Sequence, residues 1–115
     1  MPVATLVERL RRELGDEAVL HHPIERHLYG KDSGLRRSDP ELVVLPTSNE
    51  QVDDVVRAAA DEGVAVVPRG GGSGLTGGAV PSGESVVVVL TRMDRIEEIE
   101  AAGATAWVGP GVINL

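Results

Sequence analysis

Apolar residues along this chain recur with two periods. Leu6, Val7, Leu10 and Leu14 share one face of a helical wheel, which predicts a helix over residues 4–14. Thr5-x-x-Glu8 has the form of a capping box at its start, and Gly15 stands where it ends. Residues 18–34 show no period and read as irregular. Leu42-Val43-Val44-Leu45 is a continuous apolar run before Pro46, the pattern of a short strand buried on both faces. Val52, Val55, Val56 and Ala59 then fall at helical spacing, with Asp53, Asp54, Arg57 and Asp61 on the opposite side. Ser48 or Thr47 supplies the cap, Gln51 or Glu50 follows three residues later, and Gly63 marks the stop. Val64 to Val67 reads as a second buried strand, ended by Pro68. Residues 42–67 therefore predict a β-α-β unit with parallel strands and a crossover helix. Val86 to Leu90 predicts a third strand and Thr105 to Val108 a fourth, in which Trp107 is expected to pack. Ile96 and Ile99 alternate with acids less cleanly, and Glu97, Glu98 and Glu100 read as a solvated strand or turn face.

Between the second and third strands lies Pro68-Arg69-Gly70-Gly71-Gly72-Ser73-Gly74-Leu75-Thr76-Gly77-Gly78-Ala79-Val80-Pro81. Six of the nine residues from Gly70 to Gly78 are glycine, a backbone-entropy cost that demands a use. Glycine lets successive N–H groups converge and lets a ligand approach the chain, which makes an anion-binding concavity. Arg69 adds a positive charge at its edge, and Ser73 and Thr76 add hydroxyl donors. A flexible linker is the plain alternative, but the stretch joins two strands of one predicted sheet and has proline at both ends. A P-loop needs a lysine that is missing here. Gly72-Ser73-Gly74-Leu75-Thr76-Gly77 matches the dinucleotide fingerprint in form, yet that motif must open a helix. Pro81 and Gly83 do not suit a first helix there, so the segment is expected to be strand-loop-strand.

Composition narrows the choice. The net charge of −7 disfavours nucleic acid, whose backbone needs clustered Lys and Arg. There is no cysteine, so disulfides and thiolate metal sites are excluded. His21, His22 and His27 fit no usual metal spacing, and adjacent histidines point apart on a strand, so no metal site is expected. No apolar run approaches the roughly 20 residues of a membrane span, and the N-terminus lacks the apolar stretch of a signal peptide. A cytoplasmic location is the default expectation. The role of Asp32 is not readable from the sequence, and Tyr29 is expected in a core or surface contact.

Four pieces in order carry a family resemblance: Tyr29-Gly30-Lys31-Asp32-Ser33, Pro46-Thr47-Ser48-Asn49-Glu50-Gln51-Val52, the glycine loop, and Leu90-Thr91-Arg92-Met93 with Val108-Gly109-Pro110-Gly111-Val112. Together they resemble the FAD-binding domain of the vanillyl-alcohol oxidase and p-cresol methylhydroxylase flavoproteins. Within that superfamily the chain is most similar to FAD-linked 2-hydroxy-acid dehydrogenases of the glycolate oxidase and D-lactate dehydrogenase type. The resemblance implies an α+β fold: the first subdomain of a p-cresol methylhydroxylase-type FAD-binding domain, β-α-β followed by further strands, and incomplete. Residues 1–115 are then expected to be a partial FAD-binding domain from the N-terminal part of a longer enzyme.

The resemblance also implies a cofactor site. Backbone N–H groups of Gly70, Gly71, Gly72, Ser73 and Gly74 would hold the FAD pyrophosphate. Pro68 and Arg69 would lead into that cradle, with Leu75, Gly78 and Ala79 beside it. Some relatives attach FAD through a histidine in this loop; Ser73 stands at that position, so the FAD is expected to be non-covalent. The implied reaction oxidises a small 2-hydroxy acid, with hydride passing to the flavin. The family allows partner subunits. Its catalytic and metal-binding residues belong to regions beyond Leu115, so no catalytic residue is assigned. Two alternatives stand beside this reading: a truncated, non-catalytic flavin-binding module, and an enolpyruvyl-reductase-type flavoenzyme of the same fold.

Overall fold

A computed structural model of the chain describes residues 2–114. Helix α1 (Pro2–Leu14) leads through a 3-10 turn (Asp16–Ala18) into strand β1 (Val19–Leu20) and the short helix α2 (Pro23–Leu28). Strand β2 (Leu42–Val44), helix α3 (Asn49–Glu62) and strand β3 (Ala65–Arg69) follow. Strand β4 (Ser85–Val89) comes next, then strands β5 (Ile96–Glu100) and β6 (Thr105–Val108). The first four strands form one sheet in the order β1-β2-β4-β3. β4 runs parallel to both β2 and β3, and β1 is antiparallel to β2. The β-α-β unit is thus present with its strands parallel, but β4 lies between the two.

The central strands explain the continuous apolar runs. Leu42, Val44, Val86 and Val88 face one side of the sheet, where they pack with Leu6 and Leu10 of α1 and Val55, Ala58 and Ala59 of α3. Val43, Val87 and Val89 face the other side with Leu45, and there Leu20, Tyr29 and Val67 cover them. Residues alternate sides with period two and both sides are dry, so every position of β2 and β4 is apolar except the buried Ser85 that opens β4. Strand β3 is an edge with one flank unpaired, which is why Pro68 sits inside it, opposite Val88, rather than ending it.

Helix α3 is held at both ends. The Ser48 hydroxyl accepts a hydrogen bond from the Gln51 N–H at 3.2 Å, and Gln51 Oε1 accepts from the Thr47 N–H at 2.8 Å. At the other end Gly63 takes a left-handed conformation (φ 68°) and its N–H returns to Ala59 and Ala60. Arg9 of α1 pairs with Asp61 of α3 at 2.8 Å across the two helices.

The structure corrects several expectations. Residues 18–34 are ordered: a two-residue strand and a six-residue helix are too short to show a period. Helix α1 begins at Pro2, a residue favoured in a first turn, so Thr5 lies inside the helix and not at its cap. His21 and His22 precede α2 and do not lie in a strand; their rings stack at 4.7 Å instead of pointing apart. β5 and β6 form a separate antiparallel hairpin, and Trp107 within it is 72% exposed rather than packed. The acids of β5 are solvated, as expected, but so is every other residue of the hairpin. Strand propensity alone did not say which strands join the main sheet.

Leu10 is fully buried between α1, α3 and the sheet. Leu10→Ala should therefore cost about 2–5 kcal/mol in urea unfolding, because a cavity adds to the lost burial. A loss under ~1 kcal/mol would mean that α1 does not dock on the sheet as described.

Candidate functional site

β3 and β4 are adjacent and parallel, yet no helix joins them. The glycine loop makes the whole return, from the carboxyl end of β3 to the start of β4. Parallel neighbours need a long crossover, normally helical. Here the crossover is irregular, so its shape must come from contacts outside regular structure. The strand-loop-strand reading holds, and the dinucleotide-fold alternative, which needs a helix inside the motif, does not.

Two loop glycines are needed by the backbone itself. Gly72 and Gly77 have positive φ, 74° and 84°. At Gly72 a side chain would also collide with the Arg69 guanidinium, which lies directly against it. Gly70, Gly71 and Gly78 are different. Their φ values are unexceptional, and a Cβ at any of them would meet nothing within 4 Å. Neither conformation nor packing within this chain requires glycine at these three positions.

The loop is tied from below by the segment after α2. Asp32 is 3% exposed, and its two carboxylate oxygens accept from the Gly34 N–H at 2.7 Å and the Gly77 N–H at 2.9 Å. The Ser33 N–H donates to the Gly74 carbonyl at 2.9 Å. Arg69 turns back under the loop, donating from Nη1 to the Lys31 carbonyl at 2.6 Å, with its guanidinium 5.4 Å from the Tyr29 ring centre. Arg69 thus lies against the underside of the loop at Gly72.

On its upper side the loop forms one wall of a groove of about 590 Å³. Gly71 and Ser73 line it together with Thr91, Asp94 and residues 110–114. The opposite wall is folded in by the Gly109-Pro110-Gly111 turn. The Gly109 N–H donates to Arg95 at 2.8 Å and the Gly111 N–H to Met93 at 2.9 Å. At Gly111 a Cβ would run into the Leu90 carbonyl and lie 2.7 Å from that of Thr91, so only glycine lets this wall approach.

The ten residues expected at the cofactor therefore separate. Gly70, Gly71, Gly72, Ser73 and Gly74 form the arc whose members Gly71 and Ser73 face the groove. Pro68 is in β3, and Arg69 ends it beneath the arc. Leu75 lies on the far side, 75% exposed, with Leu35 and Arg36 around a second cavity. Gly78 and Ala79 follow in the turn after Gly77. Thr91, Asp94 and residues 110–114 line the facing wall and were not among the residues expected at the cofactor, although Thr91 and Gly109 to Val112 belong to the pieces that carry the family resemblance. Among the described residues, no group of three His, Asp or Glu side chains is placed to hold a metal.

Residues 40–115 match the family model described as "FAD binding domain". The chain belongs to this FAD-binding-domain family. It is 39% identical over 107 residues to the glycolate oxidase subunit GlcD of Escherichia coli K12, covering 92% of this chain and 21% of that protein. It is 36% identical over 110 residues to the D-2-hydroxyglutarate dehydrogenase of Stutzerimonas stutzeri, covering 95% of this chain and 24% of that one. A crystal structure of p-cresol methylhydroxylase with substrate bound superposes with a TM-score of 0.87 at 27% identity, over 96% of this chain and 22% of that one. The fold is therefore the α+β fold of that flavoprotein domain, of which this chain is a part. The chain spans about a fifth of the length of these relatives.

Two glycine substitutions should separate the two kinds of loop glycine. Gly72→Ala forces a left-handed alanine against Arg69 and should destabilise the chain by about 1–2 kcal/mol. Gly71→Ala restricts only the unfolded chain and should leave stability level or raise it by up to ~1 kcal/mol. Equal losses in thermal unfolding would contradict the assignment.

Proposed function

We propose that this domain binds FAD non-covalently in the groove above the glycine loop. The observation that carries the reading is the set of glycines at 70, 71 and 78, which neither φ nor packing explains. A diphosphate fits such a loop because converging N–H groups supply donors, and the missing side chains let its oxygens come close. FAD membership of the family supplies the identity of the ligand. Pro68, Arg69, Gly70, Gly71, Gly72, Ser73, Gly74, Leu75, Gly78 and Ala79 are the proposed contact and support set. Thr91, Asp94 and the 110–114 wall join it as the facing side of the groove. A carboxylate is a poor neighbour for phosphate but a good acceptor from hydroxyls, so Asp94 suits the sugar or ribityl part of the cofactor. Ser73 cannot form the bond that a histidine makes to flavin, which supports non-covalent attachment.

In the whole protein the proposed activity is oxidation of a small 2-hydroxy acid, the class to which the substrates named for the two curated relatives belong. When bound, FAD would accept the hydride; the residues of this chain would bind and orient it. Partner subunits remain part of this reading. No described helix is long and apolar enough to cross a membrane.

FAD titrated into the purified chain should bind, and at a hundredfold excess over Kd it should stabilise folding by about 2.7 kcal/mol. Gly71→Ala should weaken that binding by about tenfold or more while leaving the apo chain stable. Denaturation followed by filtration should release all of the flavin. Absence of binding, or equal affinity in Gly71→Ala, would refute the loop as cradle, and flavin retained on the denatured polypeptide would refute non-covalent attachment.

A further inference from the structure

Asp32 is the one charged side chain in the buried set among the described residues. A carboxylate withdrawn from water is costly unless its oxygens are matched by donors. Both oxygens here are matched, and both donors are backbone amides: Gly34 in its own segment and Gly77 in the glycine loop. The remaining ties run between the same two segments. The Ser33 N–H reaches Gly74, and Arg69 Nη1 reaches Lys31. Gly34 has no side chain because a Cβ there would stand 2.8 Å from the Leu75 carbonyl. The segment and the loop are thus fitted to each other along residues 74–77, next to the arc 70–74.

We propose that Asp32 is a positioning residue that presets the glycine loop for a diphosphate. The inference rests on the FAD reading above. Without a helix between β3 and β4, the loop has many conformations available, since glycine restricts few of them. Binding a diphosphate then requires the N–H groups of the arc to converge, and the entropy of ordering them is subtracted from affinity. Asp32 holds the Gly77 end of the loop, and the hydrogen bond from Ser33 holds Gly74. The arc between Arg69 and Gly74 is then fixed at both ends before any ligand arrives. The Asp32 carboxylate takes donors outside the arc, so the N–H groups of Gly70 to Ser73 are left for the ligand.

The sign of the charge effect makes the proposal testable. Asp32→Asn removes a negative charge close to a proposed diphosphate site. A purely electrostatic role predicts tighter FAD binding in the variant. A positioning role predicts weaker binding, because the amide keeps one acceptor and presents N–H donors to a backbone N–H. Wild type, Asp32→Asn and Asp32→Ala should be titrated with FAD and with riboflavin, which lacks the diphosphate. Hydrogen exchange at the Gly34 and Gly77 amides should be followed in the apo chains. The wild type should prefer FAD over riboflavin and protect both amides. Both variants should lose FAD affinity by about tenfold or more, keep their riboflavin affinity, and lose protection at Gly77. Far-ultraviolet circular dichroism should stay unchanged, since neither apolar cluster contains Asp32.

Unchanged or tighter FAD binding in Asp32→Asn, with the wild type preferring FAD, overturns the positioning role and leaves the cradle standing. An equal loss of riboflavin affinity overturns it as well, since the effect is then not on the diphosphate site. Rapid exchange at Gly77 in the wild type removes its structural basis whatever the ligand does. A wild type with no preference for FAD refutes the cradle itself, and the inference falls with it.

Discussion

Strand β4 lies parallel between β2 and β3, buried on both faces, and the rest of the molecule is arranged around that pairing. Its neighbours come from either end of one β-α-β unit, so β4 must be delivered into the middle of a sheet whose flanking strands precede it. The chain leaves β3 at the carboxyl edge and has to return to the opposite edge before it can run alongside. That return is the glycine loop. A crossover helix would satisfy its own backbone groups; an irregular one must find partners elsewhere. The segment after α2 supplies them through Asp32 and Ser33, while its Lys31 carbonyl holds the Arg69 side chain.

The same constraint places the groove. Because the crossover is not helical, it turns as an irregular arc at the carboxyl edge of the sheet, with Gly71 and Ser73 lining the groove. Leu90 continues the ladder from β4 with its N–H on the Arg69 carbonyl at 2.8 Å. This brings Thr91 and Asp94 beside the arc, and the Gly109-Pro110-Gly111 turn packs onto residues 90–95 to close the second wall. Ligand sites of open parallel sheets collect at such carboxyl edges. The glycines divide accordingly: those at 72, 77, 34 and 111 serve conformation or internal contact, and those at 70, 71 and 78 serve neither.

Much of this was legible in the residues. The strands at 42–44 and 85–89 announce themselves because a strand dry on both faces is filled almost entirely with apolar residues. β3 carries a similar apolar run, yet as an edge strand it is largely exposed and not buried as that run suggested. Helix α3 carries its stripe, its Ser48 cap and its Gly63 stop in local sequence. The loop was legible as an irregular strand-loop-strand crossover for a similar reason: positive φ at Gly72 and Gly77 calls for glycine, and glycine density survives in one dimension. Asp32 was opaque because its partner Gly77 is far away in the chain, and nothing local distinguishes a buried carboxylate from a solvated one. Trp107 misled because an apolar strand reads as packed whether or not anything covers it, and in the hairpin of β5 and β6 nothing described does.

By itself the sequence determined the kinds of element, the family to which they belong and the loop that a diphosphate would need, since each depends on residues near one another. Tertiary structure alone decided that β4 inserts between β2 and β3, that Arg69 turns beneath the loop, and that Asp32 braces it from a separate segment. Those outcomes depend on which strands pair and which donors meet a buried carboxylate. Pairing and burial exist only once the chain has folded.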